Sequence, residues 1–506
     1  MMAVPVQPTY RPLYKYQALH DKDIRLIDIC PAESPAESIR CRLRHVTLDP
    51  DTACPEPYAT MSYAWGKTYE DGSHLTDSIC CDGAILMITS NLHGALKRIR
   101  QKMDSGEVAS TVRQHVDSRV SNVDRPSLWA DAICVNQMDL DERSRQVQRM
   151  AKIYEASSLL LIWLGDFTPE FHTSYLREIL EHSGPIIGAI RFLRRCEWFS
   201  RRWVIQEIRS VHPSKRCVLI GDCLIRVSDF MPLLWSAVVG GLDSGALDDT
   251  VSPPTSMPQE LHYHAGARCS DARDCVYALM HLCRDIATLP VSYTDSVEQV
   301  YYAAAVQSIN TSFSKDKTIL MMLVCSGIRR GIVRRKGLDD SADLPTWVPD
   351  WRITINSGLR AMGCRAIDWI LTGSGEDETM QFPSASPPTP AVLKDRFLEL
   401  NTVILDADTH TVASDMQTLE CNYLNRLASR AQAEHAVLIV REGLTRSEPF
   451  LLTFEVTEVR SSALAAGPRI FRLAGCSVHL IGYIASSQLA LLIQIWDSAS
   501  ERVRIS

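Results

Sequence analysis

Tyr58-Ala-Thr-Met-Ser-Tyr-Ala-Trp-Gly66 and Leu159-Leu-Leu-Ile-Trp-Leu164 are the two stretches that decide the fold. The second is apolar at every position, the texture of a strand covered on both faces in a parallel sheet. The first reads as a strand that ends on a glycine. Around them, strand-like runs alternate with helical patterns. Leu75 to Asp82 and Ala84 to Ile88 read as a strand pair turning at Asp82-Gly83. Ser90 or Asn91 caps a helix through Ile99, and Leu128 to Val135 reads as another apolar strand. Asp139 and Glu142 have the spacing of a capping box. Val147, Met150, Ala151 and Tyr154 continue that helix as an apolar stripe. A helical region closes with Trp198 to Ser210, and Arg216 to Ile220 is one more strand. The alternation predicts an α/β fold: a central, mainly parallel sheet flanked by helices, with right-handed crossovers.

Outside this unit, Ile24 to Ile29 and Ile39 to Leu43 read as two short strands joined by a turn over Pro31 to Pro35. Residues 103–126 are polar and read as an irregular surface insertion. Residues 224–325 look mostly helical. Asp271 or Asp274 opens one helix there, and Ser296 with Gln299 caps another over Val297 to Ile309. Residues 243–260 read as a loop, and from about 343 the pattern becomes irregular and β-rich. The expected regions are an N-terminal extension (1–50), the α/β domain (51–222), a helical region (223–342) and a β-rich C-terminal part (343–506).

The 506 residues are 46% hydrophobic and 22% charged, which is the balance of a soluble globular protein. With 53 basic and 60 acidic residues the net charge is -7, which argues against a chain-wide grip on nucleic acid. No apolar run approaches the ~20 residues of a membrane-spanning helix. Met1 to Tyr16 lacks the apolar core of a signal peptide. The expectation is a cytoplasmic protein that engages neither membrane nor nucleic acid. The 16 cysteines sit mostly singly, so they read as reduced, buried thiols and not as a zinc site.

Three blocks carry a family resemblance. They are Tyr58 to Gly66, Leu128-Trp-Ala-Asp-Ala-Ile-Cys-Val-Asn-Gln137 with Glu142, Arg143, Gln146 and Val147 after it, and Met150 to Tyr154 leading into Ile162-Trp-Leu-Gly165. In that order they resemble the fungal heterokaryon incompatibility (HET) domain. Arg202-Trp-Val-Ile-Gln-Glu207, Asp271 to Leu279 and Leu344 to Trp351 fit the same resemblance, which covers about residues 20–355. Leu451 to Ser506 matches poorly the Gly-rich β segment of many family members. The resemblance implies a role in self/non-self recognition or programmed cell death. It also implies a distant relation to Toll/interleukin-1-receptor (TIR) folds, some of which cleave NAD with a helical glutamate. By that analogy Glu207, one helical turn after Trp203, is the candidate catalytic carboxylate, and NAD is a substrate with no bound cofactor required. The other reading is a non-catalytic module that signals by self-association or by assembly with a partner protein.

Each candidate residue has a structural alternative. Glu207 shares a helix face with Phe199 and Trp203; burial there would raise its pKa, and it could hold ribose hydroxyls and favour an oxocarbenium-like transition state. Alternatively it pairs with Arg201, Arg202 or Arg209. Trp65 and Gly66 end the first strand, where ligands sit in open α/β sheets, and Trp65 could stack on a base; otherwise they are a core Trp and a turn glycine. Lys67 to Ser73 then reads as a lid. Asp131, placed inside an apolar strand, either binds a ribose hydroxyl or anchors a loop. Trp203 would line the pocket. Glu142, Arg143 and Gln146 read as the exposed and capping face of a helix, Arg273 and Asp274 as a cap and ion pair, and Trp347 to Trp351 as an aromatic clamp. His262 and His264 would share a face on a strand, but no further ligand accompanies them, so no metal is expected.

Overall fold

The structure is a computed structural model. It describes residues 11–34, 36–48, 56–66, 75–116, 124–166, 192–193, 195–231 and 255–312, shorter stretches up to 355, and the backbone of separate strands between 393 and 494. The chain forms two compact units. The first comprises Met1–Pro253 with Ala267–Cys269 and Pro290–Asp295, and the second comprises the remainder.

The first unit is built on nine strands: β1 (Asp23–Ile29), β2 (Arg40–Thr47), β3 (Tyr58–Tyr63), β4 (Asp77–Cys81), β5 (Ala84–Ile88), β6 (Ser127–Trp129), β7 (Leu159–Gly165), β8 (Arg216–Ile220) and β9 (Cys223–Arg226). Their order across the sheet is β5-β4-β2-β1-β6-β3-β7-β8-β9. The four strands β6, β3, β7 and β8 run parallel, and β2 with β4 adds one more parallel join. The joins β1–β2, β1–β6, β4–β5 and β8–β9 are antiparallel. The fold is α/β as expected, but the sheet is mixed and not mainly parallel. The sequence does not reveal this because hairpins such as β1–β2 attach to an edge of the parallel core, and their short apolar runs do not encode direction.

Among the described residues these helices accompany the strands: α1 (Ser90–Asp104), α2 (Glu107–Arg113), α3 (Asp131–Cys134), α4 (Leu140–Gln148), α5 (Met150–Glu155) and α6 (Trp203–Arg209). The chain runs from β3 to β6 on one side of β3, then crosses back to β7 on the other. Register pairs Ser62 with Ile162 and Tyr63 with Trp163, so each pair points to one face. On one face Tyr58 donates to the Ile153 carbonyl (2.5 Å) and Thr60 to the Ser157 hydroxyl (3.1 Å), joining β3 to α5 and the turn after it. On the other, the Trp163 indole donates to the Asn91 side chain of α1 (2.8 Å). All six residues of β3 are buried.

Several local expectations change. The apolar run at 128–135 is not one strand; β6 ends at Trp129 and α3 begins at Asp131. The polar stretch at 103–126 contains α2, which buries Val108, Ala109 and Val112 on its inner face. Its other residues are polar because they face water. Thr89, and not Ser90 or Asn91, caps α1 by accepting from the Leu92 amide (3.3 Å). The Asp82-Gly83 turn is as expected, with φ of 49° and 83°; both positions are left-handed, as a tight two-residue hairpin requires.

Glu142 departs furthest from its sequence reading. Asp139 caps α4 by accepting from the amides of Asp141 and Glu142 (3.1 and 2.9 Å), but the Glu142 side chain turns inward. It forms a bidentate pair with Arg25 of β1 at 2.6 and 2.9 Å and accepts the Asn136 amide at 2.7 Å. The Arg25 side chain is 0% exposed and also donates to the Cys134 carbonyl (3.0 Å). Arg25 reads as an ordinary polar strand residue until its partner, remote in sequence, is known.

In the second unit, α7 (Met257–Tyr263), α8 (Asp274–Tyr277) and α9 (Val297–Thr311) pack together. The Asp285 carboxylate accepts from the Met257 amide (2.9 Å) and the Ser308 hydroxyl (2.5 Å). The capping box of Ser296 and Gln299 is present. Residues 257–260 are helical instead of looped, since Pro258 lies in the first turn, where proline is tolerated; residues 243–254 lie outside the described residues. His262 therefore belongs to a helix and His264 to its end, so they do not alternate on a strand. Arg273 pairs with Asp271 (2.9 Å), and Trp351 packs edge-on against Tyr301 with ring centroids 4.9 Å apart. Trp347 and the segment Lys67 to Ser73 lie outside the described residues. Six strands between Leu400 and Gln494 form an antiparallel sheet, in line with the β-rich C-terminal part.

Breaking one side of the Arg25–Glu142 pair leaves a buried charge alone. Glu142→Ala should therefore lower unfolding stability by about 3–5 kcal/mol, measured by urea denaturation. A loss within the roughly 1 kcal/mol typical of surface pairs would show that the pair is not a structural bolt.

Candidate functional site at the carboxyl end of β3

β3 is the strand across which the chain reverses its direction of travel through the sheet, with β6 on one side and β7 on the other. In such sheets a crevice opens outside the carboxyl ends of the strands at that point. The chain leaves β3 through Ala64, Trp65 and Gly66. Gly66 has φ of 95°, a left-handed value that makes glycine the fitting residue at this exit.

Asp131 opens α3 just beyond the end of β6. One carboxylate oxygen accepts from the Tyr63 hydroxyl (2.7 Å) and the Ala132 amide (2.8 Å), and the other accepts from the Trp65 indole (2.9 Å). Three expected features, Trp65, Gly66 and Asp131, thus meet at one place. The reason differs from the sequence expectation: Asp131 is not a charge inside a strand but the first residue of a helix, and it fixes the aromatic side chains leaving β3. Burial and the neighbouring Asp131 carboxylate push the Tyr63 phenol well above its ordinary pKa, so it remains a donor. On the α1 face, Asn91 donates to the Ala64 carbonyl (2.5 Å) while accepting from Trp163, tying β3 and β7 at the same end.

Glu207 lies on the opposite face of β3, on α6, and is 1% exposed. Its carboxylate accepts from the Ser62 hydroxyl. Ser62 in turn accepts from the Trp198 indole at 2.8 Å. Trp203, one turn earlier on α6, is 9% exposed. Among the described residues no arginine lies within ion-pair distance of Glu207, so the alternative of a structural salt bridge is replaced by a neutral hydroxyl and indole relay. Desolvation by burial raises the Glu207 pKa to about 7; Arg201 and the Ser62 and Tyr154 hydroxyls pull it down, and the Asp131 charge pushes it up. The Arg201 guanidinium donates to the Tyr63 carbonyl. Ser62 and Trp198 were not singled out from the sequence, while Asn91 was read there as a helix cap and Arg201 as an ion-pair partner for Glu207. Ser62 alone carried a signal, as a hydroxyl in a strand that is otherwise buried and mostly apolar.

Residues 58–207 match the family described as heterokaryon incompatibility protein (HET), and this segment is a HET domain. The match spans β3, Asp131 and Glu207. The chain is also similar to heterokaryon incompatibility protein 6, OR allele, of Neurospora crassa, with 23% identity over 478 residues. That alignment covers 77% of this chain and 66% of the relative, so the chain spans just under two thirds of the relative's length. No solved structure matches the chain. Among the described residues no helix is long and apolar enough to cross a membrane.

The raised Glu207 pKa has a definite sign in stability. Below about 4.5 the group is protonated in both states. Between about 4.5 and about 7 the unfolded chain loses the proton and the folded chain keeps it, so stability falls as pH rises. The size is on the order of 3 kcal/mol. Glu207→Gln keeps an acceptor for Ser62 and removes the titration. Its stability should decline less than the wild type's across this window in paired denaturation curves at pH 4.5 and 7.5; parallel curves would place the ordinary pKa on Glu207.

Proposed function

We propose that this chain is a factor of fungal heterokaryon incompatibility that acts by cleaving NAD, with Glu207 as the catalytic carboxylate. The HET domain and the name of the similar Neurospora crassa protein support the cellular role. The observation that carries the reaction is a single one. A buried carboxyl with a pKa of about 7 is bonded to Ser62 near the carboxyl end of β3, next to the Tyr63 that Asp131 holds together with Trp65.

In this reaction the bond between ribose C1′ and the nicotinamide nitrogen breaks, and its electron pair neutralises the pyridinium. The ionised Glu207 carboxylate stabilises the developing oxocarbenium ion. Water then adds at C1′ and yields its proton to the carboxylate, leaving nicotinamide and ADP-ribose. Trp65 stacks on a flat ring of the substrate, and the Asp131 oxygen that accepts from Trp65 takes a ribose hydroxyl. Access requires the Trp198–Ser62 bridge to turn aside, because Ser62 covers the carboxylate in the resting state.

That same bridge favours a second reading. A carboxyl satisfied by Ser62 and 1% exposed is also what a structural core group needs. On this reading the domain signals by assembly with itself or a partner protein, without turnover.

Nicotinamide release from NAD by the concentrated full chain separates the two. Wild-type release should rise with pH through about 7 as Glu207 ionises. Glu207→Gln should cut it by about a hundredfold or more with the fold retained. Folded wild type without release would support assembly, to be followed by light scattering.

A further inference from the structure

Arg201 leaves the turn Glu197–Ser200 and forms a parallel bridge with Arg268. Such a bridge sets two residues side by side with side chains on the same face. The Arg268 amide donates to the Ser200 carbonyl (2.6 Å), and its carbonyl accepts the Arg202 amide (2.8 Å). The buried Arg202 side chain also donates to the Ala267 carbonyl (3.0 Å). The segment carrying Arg268 is therefore fixed beside Arg201.

Two arginines set side by side repel each other unless something anionic lies between them. Among the described residues neither has a carboxylate within ion-pair distance. Arg268 is exposed. Arg201 is half-buried, and among the described residues its side chain donates to the Tyr63 carbonyl alone. That bond places Arg201 at the end of β3, on the residue whose hydroxyl is held by Asp131. The Asp131 carboxylate in turn holds Trp65. An aromatic ring, a hydroxyl acceptor and two guanidiniums without an ion pair among the described residues are linked through the end of β3 and the Arg201–Arg268 bridge. The first two suit a base and a ribose; the pair of arginines suits phosphate oxygens, which guanidinium forks bind bidentately.

We propose that Arg201 and Arg268 form a clamp for the diphosphate of a nucleotide ligand bound at the carboxyl end of β3. The clamp rests on that end being the ligand site of the proposed function, and not on hydrolysis taking place there. Arg201 and Arg268 hold and orient the ligand, and neither transfers a proton.

The test is calorimetric titration of the full chain with ADP-ribose, and competition by inorganic diphosphate. Arg268→Gln removes a side chain with no bond among the described residues, so it should not disturb the fold. Arg201→Gln loses the Tyr63 contact too, and its melting curve is recorded alongside. Each variant should bind ADP-ribose about ten- to hundredfold more weakly, and the double variant should not bind measurably. Arg42→Gln, on an exposed part of β2, should bind as wild type does. Inorganic diphosphate should compete, showing that the phosphates are read whether or not a nucleoside is attached. Unchanged affinity in the double variant, failure of diphosphate to compete, or no binding by folded wild type would each overturn the clamp. Clamp-dependent binding without nicotinamide release would keep the clamp and overturn hydrolysis. Release with an unaltered KM in the double variant would do the reverse.

Discussion

The burial of β3 is the constraint from which the rest of the first unit follows. The strand has parallel neighbours on both sides and helices on both faces, so every polar group it carries must find a partner inside the protein. Tyr58 and Thr60 meet α5 and the turn after it, Ser62 meets Glu207 and Trp198, and Tyr63 meets Asp131. Each partner belongs to a different element. Satisfying one short strand therefore fixes where α3, α5 and α6 sit. The same alternation separates a closed polar cluster on one face from an open one at the strand's end.

The Arg25–Glu142 pair does a comparable task for the antiparallel additions. β1 and β2 would be a marginal hairpin alone. Arg25 reaches from β1 across to Glu142 and the Cys134 carbonyl, which ties the hairpin to the connection between α3 and α4. α3 itself begins at Asp131. The fastening of the hairpin and the positioning of the Asp131 carboxylate are thus parts of one packed region, although their residues are far apart in the chain.

The two carboxylates of the site differ because their surroundings differ. Asp131 accepts from a backbone amide, a phenol and an indole. Glu207 is desolvated and has Arg201 nearby without an ion pair, so its pKa lies close to neutrality. Arg201, bonded to the Tyr63 carbonyl, lies near Glu207 without an ion pair to either carboxylate.

Much of the fold was legible in the sequence. Leu159 to Leu164 reads as a strand covered on both faces because it has no polar residue to expose. The Asp82-Gly83 turn, the Asp139 cap and the Ser296–Gln299 box are local, and short-range chemistry specifies them. The HET blocks were recognisable because Trp65, Asp131, Trp203 and Glu207 occur in a set order. What the sequence could not convey was direction and partnership. Apolar runs do not say whether neighbours run parallel, so the mixed sheet emerged only when the hairpins were placed on the parallel core. Asp131 follows an apolar run whether that run continues as a strand or turns into a helix, and only the end of β6 decides. Glu142 and Arg25 look like surface charges until folding brings them together. The sequence by itself determined most of the strands and helices, though not the helices at Glu107–Arg113 and Asp131–Cys134, and which residues are of the kind that could act. Tertiary structure decided which of those residues meet, because contacts between β3, α3, α6 and the segment at Arg268 depend on where distant elements are packed and not on the spacing between residues.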